Sequence, residues 1–133
     1  MKLILIFIHI FFTSLLLSND VVVKSLDNKS PEKLLYIGNS YLYYNDSLHN
    51  HVRRMLEESY GKKIKTSNYK SVTISGSRLS HHNIDYSLDN NNLGADDPFE
   101  LVVLQGGSGE TNTLKEKKIF ANEIEVMVNK IHE

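Results

Sequence analysis

Apolar residues along this chain fall into blocks of distinct period. Residues 3–17 are apolar on every side, interrupted only by His9, Thr13 and Ser14. Leu34-Leu35-Tyr36-Ile37 is a continuous apolar run of strand length, and Phe99-Glu100-Leu101-Val102-Val103-Leu104 is expected to be another strand. Short unbroken runs bounded by turn residues fit strands buried on both faces of a parallel sheet. Between them, residues 64–74 alternate and are rich in Thr, Ser, Val and Ile, which predicts a further strand. Leu48, Val52, Met55, Leu56 and Ser59 recur at helical spacing, with Asn45 or Asp46 as the expected cap and Gly61 as the left-handed terminator. On that helix His49, Arg53, Arg54, Glu57 and Glu58 are expected to face mostly outward. A second amphipathic helix is expected over residues 113–131, burying Phe120, Ile124, Met127, Val128 and Ile131. The alternation of strand and helix predicts an α/β domain with about three parallel strands.

The first block has a different meaning. Lys2 precedes it and Ser18-Asn19-Asp20 follows it, the layout of a secretory signal. The run is short for a membrane span of roughly 20 residues. Leu16 is large for a cleavage-site position, so an uncleaved N-terminal anchor, holding the membrane through residues 3–17, stands as the alternative to a cleaved leader. Residues 1–20 are therefore expected to direct export or envelope anchoring. Residues 21–32 are expected to be a linker: Val21-Val22-Val23 has strand character, but Asp27, Asn28, Ser30 and Pro31 interrupt it. The folded domain is expected to occupy residues 33–133.

Composition narrows the function classes. The chain has 133 residues, enough for one domain with a core of modest size. Fifteen Lys plus Arg against sixteen Asp plus Glu leave no basic footprint, so a nucleic-acid partner is not expected. Cysteine is absent, which excludes disulfides, thiolate chemistry and sulfur-ligated zinc. His49 and His51 are two apart and point to different sides of a helix, so they do not suggest a shared metal. The Asp- and Asn-rich residues 84–97 lack the fixed Gly and Glu offsets of a calcium loop and are expected to be a solvated loop. No metal or cofactor is expected.

Chemistry concentrates where strands end. Gly38-Asn39-Ser40 lies at the handover from the first apolar run to a helix, which is where open α/β sheets bind ligands. The second strand leads into Ser75-Gly76-Ser77-Arg78-Leu79-Ser80-His81-His82. A glycine there lets a backbone N–H approach an oxygen that becomes negative during acyl transfer, although a simple turn glycine has the same appearance. The third strand opens into Gln105-Gly106-Gly107-Ser108-Gly109-Glu110, which lacks the Lys and hydroxyl ending of a phosphate loop.

Ile37-Gly38-Asn39-Ser40 followed by Tyr41, Tyr43, Tyr44 and Asn45 resembles the nucleophile block of the SGNH/GDSL hydrolases, most closely a bacterial branch with a Gly-Asn-Ser block. Gly76, Leu79 and His82 fall on that branch's Gly-x-x-Leu-x-x-His loop, and Val102-Val103-Leu104-Gln105 is similar to its third block. The resemblance covers residues 34–131 and implies a three-layer α/β/α flavodoxin-like fold, truncated to about three strands. It implies Ser40 as nucleophile, the N–H groups of Ser40 and Gly76 as oxyanion donors, and Asn39, Gln105, Ser108 and His82 as substrate-binding residues. Two departures stand out. Where many members read Gly-x-Asn-Asp, this chain has Gly107-Ser108-Gly109-Glu110, and where the closer branch reads Gln-Glu-Gln-Ser it keeps Gln105 and Ser108 but has Gly106 and Gly107 between them. One lost oxyanion donor costs on the order of a hundred- to a thousandfold in rate. The family's C-terminal Asp-x-x-His is also not matched, since Asn129 stands three residues before His132.

Two function classes follow. The first is the N-terminal portion of an exported serine esterase acting on small-molecule or carbohydrate esters, broken by a premature stop or a frameshift, or completed by a complementing chain. The second is a non-catalytic binding or interaction module, or a decayed fragment that retains the sheet. In either, the third strand is expected to be an apolar sheet edge that invites self-association.

Overall fold

The computed structural model describes residues 25–133, and the leader expected over residues 1–20 and the strand character of Val21 to Val23 lie outside them. Leu34–Gly38 forms the central strand β1, with every residue buried. On one side it pairs in parallel with β2, Tyr69–Thr73, and on the other with β3, Leu101–Leu104. The strand order β2-β1-β3 reverses direction of growth at β1. It is the order of the first three strands of flavodoxin-like sheets, whose ligand crevice opens at the β1/β3 switch point.

Alternation along β1 sorts the core into two layers, as strand geometry requires. Leu34 and Tyr36 face one side with Tyr69, Ile64 and Leu42, covered by Val52, Leu56 and Tyr60 of α2, Leu48–Tyr60. Leu35 and Ile37 face the other with Leu79, Ile84 and Met127, joined by Phe120, Ile124 and Ile131 of α4, Leu114–Ile131. The architecture is α/β, with a three-stranded parallel sheet between helical layers. A four-residue helix α1, Ser40–Tyr43, follows β1 directly, and α3, Ile84–Leu88, precedes β3.

Several boundaries differ from the sequence expectation. The second strand begins only at Tyr69, because residues 66–68 form a 3-10 turn that carries Ile64 into the core. Residues 84–97 are not wholly a solvated loop: Asn83 caps α3 through a bond from the Tyr86 N–H at 3.1 Å, and Ile84 and Ser87 are buried. Helix α2 begins after Ser47, with Asn45, Asp46 and Ser47 all at positive φ, and it is turned about its axis from the predicted orientation. Leu48 and Met55 are exposed, while Val52, Arg53, Leu56, Glu57 and Tyr60 face the sheet side. Glu57 explains the rotation. Its carboxylate accepts the Ile64 N–H at 3.0 Å and pairs with Arg53 at 2.7 Å and Lys63 at 3.1 Å, tying the exit of α2 to the approach to β2. Gly61 ends the helix in the left-handed region, as expected.

The β3 edge is apolar, and its outer side is bordered by Leu26, Pro31, Val128 and Ile131 around a hollow of about 330 Å³. Asn28 and the Glu32 N–H both bond the Glu100 carboxylate, holding the incoming chain at the start of this edge.

The Ile64 N–H, with Lys63 and Arg53 in support, holds the Glu57 carboxyl below its ordinary value of 4.5. A carboxyl depressed by folding stabilises above its unfolded pKa, and that contribution is lost as pH falls through the folded value. In urea titrations, the gap between wild type and Glu57→Gln should therefore shrink as pH is lowered from about 6 to about 3. A gap independent of pH in that window would show that the carboxylate charge does not matter to the loop.

Candidate functional site

Three strand ends meet beside Ser40, and the Asn39 side chain joins them. Asn39 is 3 % exposed and caps α1, its Oδ1 accepting the Tyr41 N–H at 3.2 Å. Its Nδ2 donates to the Ser77 carbonyl in the loop after β2 and to the Gly106 carbonyl in the loop after β3, each at 3.2 Å. The Asn39 N–H in turn donates to Oε1 of Gln105 at 3.0 Å. One amide thus uses both its donors and its acceptor to set the relative positions of all three loops.

The β2 and β3 loops are also fastened to each other. Glu110 is 2 % exposed, and its carboxylate accepts the Leu79 N–H at 3.3 Å and the Gly107 N–H. Gly107 is needed for close approach: a Cβ there would lie 2.9 Å from the Ser77 carbonyl oxygen. Gly76 is needed for its conformation, with φ at +65° and open space where a Cβ would stand.

These loops enclose a cavity of about 270 Å³ lined by Asn39, Ser40, Tyr41, Gly76, Ser77, Arg78, Gly107, Ser108 and Gly109. Ser40 opens α1 and is partly exposed. Its N–H and that of Gly76 have no hydrogen-bond partner among the described residues. The Gly107 N–H, by contrast, is occupied by Glu110. The arrangement offers a hydroxyl, two free N–H donors and the Ser108 side chain to one small ligand. Arg78 is the basic group at its rim, drawn toward Glu116 at 3.7 Å.

Of the residues expected to act here, Ser40, Asn39, Gly76 and Ser108 line the cavity together. Gln105 stands behind it as the partner of the Asn39 N–H. His82 also stands behind it. The ring is buried, with Nε2 3.0 Å from Ser77 Oγ, and Ser77 Oγ donates to the Gly38 carbonyl at 3.3 Å. Since that hydroxyl hydrogen is committed to Gly38, Ser77 accepts from His82, which places the imidazole hydrogen on Nε2. Burial pushes the His82 pKa down, against an opposing pull from the Gly38 carbonyl. His82 is therefore a neutral support for the β1 end.

No His, Asp or Glu lines the cavity among the described residues. A literal Asp-x-x-His does occur at Asp46 and His49, but it is committed elsewhere. Asp46 bonds Arg54 at 2.7 Å, and the His49 ring lies 6.3 Å from that of Tyr36, on the α2 side of the sheet. Sequence reasoning missed Ser77 and Glu110. The available signal for Glu110 was its place three residues after Gly107, within reach of the N–H groups of its own turn. Comparison with protein-family models, with curated proteins and with solved structures gave no match.

Asn39→Ala would strand the Ser77 and Gly106 carbonyls and the Tyr41 N–H, at a cost of about 3 kcal/mol for three bonds, one buried and two part-buried. Gly76→Ala should cost about 1–2 kcal/mol through its positive φ alone. Urea denaturation checks both. An Asn39→Ala loss no larger than that of an exposed-residue substitution would mean that the loops hold together without the amide.

Proposed function

We propose that Ser40 is the nucleophile of a serine ester hydrolase centre of the SGNH type, and that the described residues supply its nucleophile and oxyanion half. The observation that carries this reading is the placement of the Ser40 hydroxyl at the carboxyl end of the central strand, beside the unpartnered N–H groups of Ser40 and Gly76. The strand order β2-β1-β3 supports it, since it puts that hydroxyl at the switch-point crevice. The flavodoxin-like three-layer fold of that family belongs to the same proposal.

In this reading Ser40 Oγ attacks the carbonyl carbon of an ester. The carbonyl oxygen becomes an oxyanion and is met by the two N–H donors. Collapse of the tetrahedral species expels the alcohol, and water then releases the acid from the acyl-serine. The substrate is a small-molecule or carbohydrate ester of a size the cavity admits. The general base comes from outside the described cavity lining, supplied by a complementing segment or chain that brings an oriented histidine over Ser40. Residues 1–20 direct the protein to the cell exterior or hold it at the envelope, where such esters are met.

One observation favours a second reading. Among the described residues the cavity lining holds no imidazole or carboxylate, so these residues supply donors but no general base. That suits a module that binds an acyl or carboxylate group without turning it over.

A fluorophosphonate probe separates the two. Removing a triad's base costs on the order of a millionfold in turnover, yet an oxyanion hole alone retains about a thousandfold or more over water. The full chain should hydrolyse p-nitrophenyl acetate no faster than Ser40→Ala, while the probe labels Ser40 slowly and the label is lost in Ser40→Ala. Complete absence of Ser40 labelling supports the binding module instead.

A further inference from the structure

The wall of the Ser40 cavity is one-sided in charge. Among the described residues nine line it, and of these Arg78 alone is charged. The backbone adds donors of the same sign. In addition to the Ser40 and Gly76 donors, the N–H groups of Ser108 and Gly109 make no hydrogen bond among the described residues. Two of the lining carbonyls are already met: that of Ser77 accepts from Asn39, and that of Gly107 accepts from the Glu110 N–H. Such a wall is matched by a ligand rich in acceptors and carrying negative charge.

Arg78 is accessible and only loosely engaged. Its side chain is 41 % exposed, and its ion-pair partner Glu116 stands 3.7 Å away, beyond hydrogen-bond distance. Glu116 is itself committed to the cap of α4, where Oε2 accepts from the Thr113 N–H at 3.0 Å and from the Thr113 hydroxyl at 2.8 Å. The guanidinium therefore keeps a fork of N–H donors of the shape that carboxylates take. The loop is held without that side chain, because it is the Arg78 backbone N–H that bonds His81 Nδ1, at 3.3 Å. Gly76 and Arg78 are two residues apart, so their Cα atoms lie within about 7 Å of each other. The cavity of about 270 Å³ corresponds to about nine waters at roughly 30 Å³ each, the bulk of a short acyl chain. We infer that Arg78 forms a carboxylate subsite of the Ser40 cavity, so that the preferred ligand is a hemiester of a short dicarboxylic acid, its ester carbonyl at the Ser40 and Gly76 N–H groups and its free carboxylate at Arg78.

The position of the ester rests on the Ser40 proposal, whereas the preference for charge rests on Arg78. Titration of the isotope-labelled full chain with monomethyl succinate should move the Gly76 and Gly109 amide resonances saturably, in the millimolar range expected of a small ligand. Methyl 4-oxopentanoate, its uncharged isostere, should bind about three- to tenfold more weakly, the worth of one partly exposed ion pair with charge-assisted hydrogen bonds. Arg78→Ala should bring the two esters to equal affinity, and Arg78→Lys should keep part of the difference. Glu116→Gln retains a residue able to complete the α4 cap but removes the competing charge. It should tighten monomethyl succinate and leave the neutral ester unchanged, a gain that a merely structural Arg78 would not produce. Equal affinity for the two esters in wild type overturns the inference, as does a difference that survives Arg78→Ala. Fluorophosphonate labelling of Ser40 reports on the other proposal separately. A chain that prefers monomethyl succinate but never labels keeps the Arg78 subsite and loses the hydrolase reading; one that labels but treats the two esters alike does the reverse.

Discussion

The Asn39 amide is the constraint on which the rest of the site depends. A parallel sheet fixes its strands but leaves the loops at their carboxyl ends free to diverge, and here each loop carries one part of the cavity wall. Asn39 removes that freedom with two donated bonds and one accepted bond, all from a side chain that is almost wholly buried. The same residue caps α1, so the orientation of Ser40 and the spacing of the Ser77 and Gly106 loops are set together. Glu110 repeats the device between the β2 and β3 loops, using its two oxygens on two backbone N–H groups. Burying a carboxylate is costly unless it is well bonded. Its placement next to a glycine that tolerates close approach makes that bonding available.

The cavity position follows from the sheet. β1 is the only strand of the three with neighbours on both sides, and its residues are buried throughout. Its carboxyl end is therefore the point where loops from two directions converge. Since β2 and β3 lie on opposite sides, the helices after β1 and β3 leave toward different faces, and a crevice opens between the strand ends. Tyr36 and Ile37 show the local price of this arrangement, since neither can point to solvent without breaking one layer of the core.

Much of this was legible in the sequence. The first apolar run became β1, the run expected over residues 99–104 became β3 from Leu101 on, the Gly61 terminator held, and the helix expected over residues 113–131 became α4. Asn39, Ser40 and the Gly76 loop were identified by position, and they do border one cavity. What failed did so for identifiable reasons. The face of α2 was judged by hydrophobicity alone, but Glu57 is turned inward because it satisfies a backbone N–H in the next loop, a tertiary need that periodicity does not encode. Helix α3 was hidden in a polar stretch because five residues offer too little period to detect, and its cap Asn83 looked like any turn residue. His82 was expected beside substrate. Its five-residue separation from Ser77, folded through a 3-10 turn, brings it instead under the β1 end.

On the proposed reading, the site separates two tasks that acyl-transfer centres combine. Positioning and, in that reading, oxyanion donation reside in the loops that Asn39 and Glu110 tie together, and they need no titrating group. In that reading proton acceptance requires a base whose lone pair reaches the Ser40 hydroxyl, and among the described residues no imidazole or carboxylate lines the cavity. His82 turns its hydrogen-bearing nitrogen toward Ser77, and Glu110 spends its oxygens on Leu79 and Gly107. Redirecting either toward Ser40 would dismantle the support that makes the donors converge. In that reading the base comes from a group with no part in holding the loops, so that the scaffold and the proton acceptor are separable.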